Sequence, residues 1–438
     1  MPLSLIFIQP GNYTINDNGT PGDNISDIRD GNDVVIFTFG HPADALIFTV
    51  STPGVNLNID FTDSLGAANF TLGSLTDAAQ TPDSIAMNRV DTTGAVTLVS
   101  NGAIGEGGAD AGADIVAGAL IMSAATGIGA GNAIETRTSL FEAETTTGGI
   151  NVSNFGSVQI GGVSADVDGL DVGTSGDINF TTLGSIFLSE ANSVTAAEVV
   201  RGGSTSGNVT LTAIGANSDI IGNVDNGAIT APRGSINVTA GRDVQFGTIG
   251  ADFNNDVIGS GAVTINAGRD VLIDGFADIL SDNFGLDTGG NLTVTAGRDI
   301  GVLNVAGTSA SITASGTGGA DLILTTGPGG TLTVNAPGSF AAGSSSGDVI
   351  ANADRILVGA ASGISAPSGQ VVLRPATAGW AIDVGSVTDG AFALELSDAE
   401  LDRIFTPNLT IGSAQAGLVT ISASITPSNA PDLVIQSG

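Results

Sequence analysis

SINVTAGRDVQFGTIG (235–250), AVTINAGRDVLIDGFA (262–277) and NLTVTAGRDIGVLNVA (291–306) state one phrase three times. Each has a short β-branched run, then Ala-Gly-Arg-Asp, then a second short β-branched run. The glycines fall at Gly241, Gly268 and Gly297, at steps of 27 and 29 residues. Self-similarity at a period of this size is the mark of a solenoid, in which each repeat buries its apolar face against its neighbours. Alternation in the first run points Ile236, Val238 and Ala240 inward.

Working outward, the same strand–glycine–strand grammar recurs without Arg-Asp. It places corners at Gly102, Gly156, Gly184 and Gly215, and the steps from Gly156 to Gly297 are 28, 31, 26, 27 and 29. GTLTVNAPGSF puts the next corner at Gly338, and SITASGTGGADLILTTGPGG (311–330) reads as a larger coil or an inserted loop. Between corners runs a variable polar link. The central region has no useful helical periodicity, which excludes helical solenoids and leaves an all-β one with coils of about 26–31 residues. The exception is LSDAELDRIF (396–405), where Ser397 and Glu400 form a capping box and Leu396, Leu401 and Ile404 share a face. The expected organisation is an irregular N-terminal cap over 1–93, a regular β-solenoid over 94–395, and a short helix with final coils over 396–438. The cap carries Phe7, Phe37, Phe39, Phe48, Phe61 and Phe70.

Composition agrees with thin layers of small side chains. Of 438 residues 42% are hydrophobic but only 4% aromatic, and glycine numbers 65, about twice its usual share of roughly 7%. Glycine is expected at corners needing positive φ. The formal charge of −33 argues against nucleic acid as a partner, since phosphate needs a basic footprint, and against docking on anionic lipid. No run is long enough for direct membrane insertion. Without cysteine there is no disulfide or thiolate metal site. MPLSLIFIQPG is too short and lacks the basic start of a standard signal peptide. The chain ends in mid-idiom at DLVIQSG, as a piece of something longer would.

The TAGRDV, NAGRDV and TAGRDI phrases, with the tail LSDAELDRIFTPNLTIGSAQAGLVTISASI, resemble the filamentous haemagglutinin class of repetitive bacterial surface adhesins over roughly residues 94–438. The resemblance implies a right-handed parallel β-helix, export to the cell surface or medium with an outer-membrane transporter as partner, and adhesion to a host-cell or surface ligand. It carries over no active site. The Asn-Pro-Asn-Gly motif of the family's secretion domain is absent; NDNG at 16–19 is not that motif.

Four groups of residues invite a functional reading. The pairs Arg242/Asp243, Arg269/Asp270 and Arg298/Asp299 read as a structural ladder at the corner, because a column of aspartates alone would repel. Calcium candidates are the polar stretch with Asp23, Asn24, Asp27, Asp30, Asn32 and Asp33, the run Asp166, Asp168 and Asp171, and the run Asp252, Asn254, Asn255 and Asp256. They have the oxygen-rich composition calcium wants but no loop motif, so solvated turns are the competing reading. No cofactor is required. Enzyme signals are poor: His41, the lone histidine, sits beside Pro42 in an apparent turn, and no second histidine exists to complete a relay. Parallel β-helices do host carbohydrate lyases and hydrolases that use carboxylates and a base, for which Arg201 and Arg233 are available. The expectation is therefore a non-enzymatic adhesin-like rod. The alternatives are a self-assembling fibre or surface-layer subunit, built from copies of itself with calcium as a possible aid, and a carbohydrate-active β-helix enzyme.

Overall fold

The computed structural model describes residues 2–18, 20, 22–108, 112–189, 199–223, 228–247, 257–275, 277–282, 289–303, 309–316, 318–335, 337–343 and 346–438. The chain is all-β, in long stacks of parallel strands that form a parallel β-helix. It divides into two compact units, Met1–Ala213 and Ile214–Gly438. Among the described residues no helix is long and apolar enough to cross a membrane.

In the first unit the parallel stacking starts at once. Leu3–Phe7 lies in register on Ala45–Val50, which lies on Asn69–Leu72 and then on Ala95–Ser100. A second face stacks Gly11–Asp17 on Val55–Asp60 and that strand on Ser84–Asp91. The irregularity is a hairpin. Ile25–Arg29 adds antiparallel to Gly11–Asp17, and Val35–Gly40 adds antiparallel to Ile25–Arg29, so that edge is covered. Its phenylalanines pack against the coils below, with Phe39 on Phe48, Phe48 on Phe70 and Phe61 on Phe70 at ring-centroid distances of 5.8, 6.0 and 5.7 Å. Further along, the six-residue strand Leu140–Thr145 meets two short strands, Val158–Ile160 and Leu170–Val172. The residue between the two registers, Glu142, pairs with Ile121 on the preceding strand but with neither short strand on this side.

The second unit shows why the repeated phrase decides the fold. Ile236 lies opposite Val263, Val263 opposite Leu292, Leu292 opposite Leu322, and Leu322 opposite Val349. All five are at most 1% exposed. Similar apolar side chains stacked at about 4.8 Å make the core a set of vertical columns. The short runs after the corner form another stack, Val244 on Val271 on Ile300 on Leu332.

Two details differ from the sequence expectation. The polar link is not strandless: Ile229–Ala231, Val257–Gly259, Asp278–Asp282, Ala310–Ser315 and Gly338–Ala342 form a third parallel stack. Such strands of three to six residues mix Gly, Ser and Asp with few large apolar side chains, so their hydrophobic alternation is weak in sequence. Second, the glycine over Gly297 is Gly327, whose added Cβ would lie 1.9 Å from the Gly297 carbonyl. Gly338 aligns instead with Ala310 on the third stack. Residues 311–330 thus belong to an ordinary coil.

The capping box is present. The Ser397 side chain accepts from the Glu400 amide and the Glu400 carboxylate accepts from the Ser397 amide, opening a helix over Asp398–Leu401. Leu396, Leu401 and Ile404 are fully buried. The helix follows the second strand of a small parallel sheet formed by Ala381–Val384, Ala393–Leu396 and Val419–Ile421.

Candidate functional site

The Arg-Asp pairs form a staircase rather than separate pairs. Each arginine reaches back one coil. Arg242 donates through Nε to Asp219 at 2.7 Å, Arg269 to Asp243 at 2.8 Å and Arg298 to Asp270 at 2.8 Å, and a terminal guanidinium nitrogen binds the other oxygen of the same carboxylate. Each such carboxylate also accepts the backbone N–H of the next aspartate, at 3.2 Å in all three coils. The first step is Asp219, in a coil that lacks the Arg-Asp phrase. Arg242 holds its carboxyl below the ordinary value, chiefly by hydrogen bonding. The last, Asp299, caps the Thr331 amide at 2.8 Å. The staircase bonds coil to coil.

The calcium candidates do not converge. Asp23 accepts from Ile25 N and the Asn18 amide. Asp27 is buried and takes Thr38 Oγ1 at 2.6 Å and Arg29 at 3.2 Å. Asp30 accepts the amides of Asn32 and Val34, which lowers its pKa. The Asp33 side chain is 84% exposed. Asp166 faces solvent, while Asp171 pairs with Arg201 at 3.2 Å. Asp168 lies in the same loop, which Glu142 holds from below: its buried carboxylate accepts the amides of Val163 and Ser164 at 2.8 and 2.9 Å. Asp252, Asn254, Asn255 and Asp256 lie outside the described residues.

A cluster that the sequence does not announce lies elsewhere. Glu106, Asp114 and Glu135 each place a carboxylate oxygen within 4.8 Å of the others. They come together because their strands lie near one another in the stack: Ile104–Glu106 and Ile115–Val116 both pair with Ser84–Asp91, and Ile134–Arg137 follows. Asp114 is 1% exposed, donates its amide to the Glu135 carbonyl at 2.8 Å and accepts the Glu135 amide at 3.0 Å. Burial, reinforced by the neighbouring carboxylates, pushes its carboxyl up to about 8. Three carboxylates can share a proton or supply part of the six to eight oxygens around calcium. A signal was available in hindsight, because Asp114 and Glu135 are one coil apart in this part of the stack.

The raised carboxyl fixes the sign of a pH effect. An unfolded aspartate titrates near 3.9, so the folded state holds this proton more tightly. The resulting stabilisation is full below about pH 4 and is lost as pH rises through 8. Asp114→Asn keeps an acceptor for the Glu135 amide and never ionises. It is expected to melt with the wild type at pH 4 and above it at pH 9. A gain of about 1 kcal/mol corresponds to roughly 2–4 °C in a unit of this size. Calorimetry at both pH values checks this, and equal shifts at both would contradict it.

His41 follows the strand Val35–Gly40 with its ring buried. Its side chain is 4% exposed, and Nε2 lies 2.7 Å from Ser26 Oγ, which in turn lies 3.0 Å from Asp17 Oδ1. These are the residue types of a nucleophilic triad in the wrong order. The serine sits between acid and imidazole, whereas catalysis needs the imidazole in the middle. Ser26 is also fully buried. Burial lowers the imidazole pKa, partly offset by Asp17 and Asp63, so a neutral ring locks the cap hairpin to the coils.

Two open grooves cross the coils of the first unit, each of about 380 Å³. One runs past Ser123, Glu144 and Asp171, and the other past Arg137, Ser139 and Phe155. No protein-family model, no curated protein and no solved structure matches the chain.

Proposed function

We propose that this chain is the stem of a bacterial cell-surface or secreted adhesin of filamentous haemagglutinin type, non-enzymatic, that holds ligand-binding surfaces away from the cell. The observation that carries the reading is the Arg-Asp staircase. In the motif behind the resemblance, the side chains are used in bonding one coil to the next. A repeated charged motif spent on stacking is the chemistry of a stem. Export would need a transporter partner in the outer membrane. Calcium at the carboxylate cluster would be an accessory.

A second reading, self-assembly into a fibre or surface layer, is favoured by one observation. Ile6, Ile8, Val34, Val35, Ile36 and Phe37 lie 42–68% exposed around the terminal strand Leu3–Phe7 and the hairpin strand Val35–Gly40, and edge strands of this kind invite pairing. Binding of the purified monomer to host cells or immobilised glycans is the expected result. Concentration-dependent filaments in the electron microscope, without binding by the monomer, would replace it with the second reading. Depolymerisation of an acidic polysaccharide would overturn both.

A further inference from the structure

The groove beside Arg137 presents a cation that is not held in an ion pair. Arg29, Arg201, Arg242, Arg269 and Arg298 each meet a carboxylate within 4 Å. Among the described residues Arg137 meets none. Its exposed guanidinium lies over the Phe155 ring of the following coil, 5.8 Å from the centroid. In a chain of charge −33, this cation is left to water and one aromatic ring. The nearest carboxylates do not cancel it. Glu135, two residues back, belongs to the cluster with Glu106 and Asp114. Asp91 stands two rungs away in register, through Val116, about 10 Å at strand spacing and so near the screening length at physiological salt.

The groove walls have a matching polarity. Thr93, Ser139 and Ser157 are exposed along it on different coils. The Thr93 hydroxyl gives its proton to the Gly66 carbonyl at 3.1 Å, and the Ser139 hydroxyl gives its own to the Gly118 carbonyl at 3.3 Å. A hydroxyl has one proton to give, so both now offer lone pairs to a ligand. Gly118 forms part of the floor, where a Cβ would meet the Thr93 carbonyl at 2.5 Å. The site therefore offers a planar cationic fork, an apolar ring and a row of acceptors. A ligand complementary to all three carries a carboxylate, a C–H face and several hydroxyl donors. At about 380 Å³ the groove is at the small end of ligand sites, which span roughly 300–1,000 Å³.

We infer that this groove binds an acidic saccharide, its carboxylate paired with Arg137, its ring against Phe155 and its hydroxyls donating to Thr93 and Ser139. The inference deepens the adhesive reading and rests on it for the setting in which such a glycan is met. Uronates and sialates share this chemistry, so both are tested.

The experiment titrates the full chain with trigalacturonate and with 3′-sialyllactose, using the methyl-esterified trimer and lactose as neutral controls. At least one acidic sugar is expected to bind ten-fold or more tighter than its neutral counterpart. Arg137→Ala is expected to lose ten-fold or more in affinity at an unchanged melting temperature, and Arg137→Lys to retain part of it, because a lysine keeps the charge but not the fork. Phe155→Leu should weaken both acidic sugars and leave the salt dependence of binding unchanged. Neither acidic sugar exceeding its control, Arg137→Ala binding like wild type, or a tri-glutamate peptide binding as well as the sugars would each overturn the saccharide assignment. Cell adhesion is read in parallel. Adhesion that persists in Arg137→Ala leaves the stem reading standing and removes the groove. Sugar binding without adhesion does the reverse.

Discussion

Replacing Gly268 by alanine is expected to cost about 4 kcal/mol, at the upper end of single substitutions, for the sake of one methyl group. The added Cβ would lie 2.1 Å from the Gly241 carbonyl oxygen of the coil beneath. The obstacle is backbone, so no rotamer change relieves it. The clash repeats through the stack, with Gly241 against Gly215, Gly297 against Gly268 and Gly327 against Gly297 at 2.1, 2.1 and 1.9 Å. Relief requires the coils to separate at the corner, where Gly268 N donates to Ala240 at 3.0 Å and Arg269 N to Arg242 at 2.7 Å. The expected readout is a large fall in the guanidinium unfolding midpoint. Gly105→Ala is the control: nothing lies within 4 Å of its Cβ position, and the effect should stay within about 0.5 kcal/mol. Similar effects at both sites would mean that these glycines matter only for backbone freedom.

That contrast corrects the reason the sequence suggests for the corner glycines. Positive φ does occur, at Gly129, Gly148 and Gly176 for example, but Gly241, Gly268 and Gly297 do not have it. They are glycine because successive corners pass too close for a Cβ. The repeat was legible because its information is periodic: inward residues such as Ile236 and Val263 recur at the coil length. The capping box was legible because it is local. What was not legible depends on the third dimension. Closely spaced aspartates at 23–33 look like one ligand loop, yet Asp27 is buried, Asp33 is exposed, and Arg29 takes an oxygen of each at 3.2 and 3.3 Å. Glu106, Asp114 and Glu135 look unrelated, yet stacking gathers them. His41 looks like a turn residue because the strand Val35–Gly40 ends just before it, and only the antiparallel hairpin carries its ring to Ser26 and Asp17.

Asp270→Ala carries the second large effect and separates a structural staircase from a binding surface. The Asp270 side chain is 4% exposed. It accepts Arg298 Nε at 2.8 Å and the Asp299 amide at 3.2 Å, and Arg269 Nε lies 3.2 Å away. Removing the carboxylate leaves the Asp299 N–H unsatisfied, at about 1–3 kcal/mol, and takes the principal partner from Arg298. The guanidinium side of the pair is 57% exposed, so water and Asp299, 3.1 Å away, recover much of that loss. The total expected is about 2–4 kcal/mol. The reciprocal change should be milder. Arg298→Ala leaves Asp270 with Arg269 and the Asp299 amide, and a smaller loss than that of Asp270→Ala is expected. Unfolding of the two single variants and the double variant should therefore show an asymmetry, aspartate above arginine, with a coupling of roughly 0.5–3 kcal/mol. A ligand-binding corner predicts the opposite pattern, with stability nearly unchanged and a ligand affinity lost equally from either side. The asymmetry follows because the acceptor ties its side chain to the backbone N–H of the next coil while the donor spans only side chains.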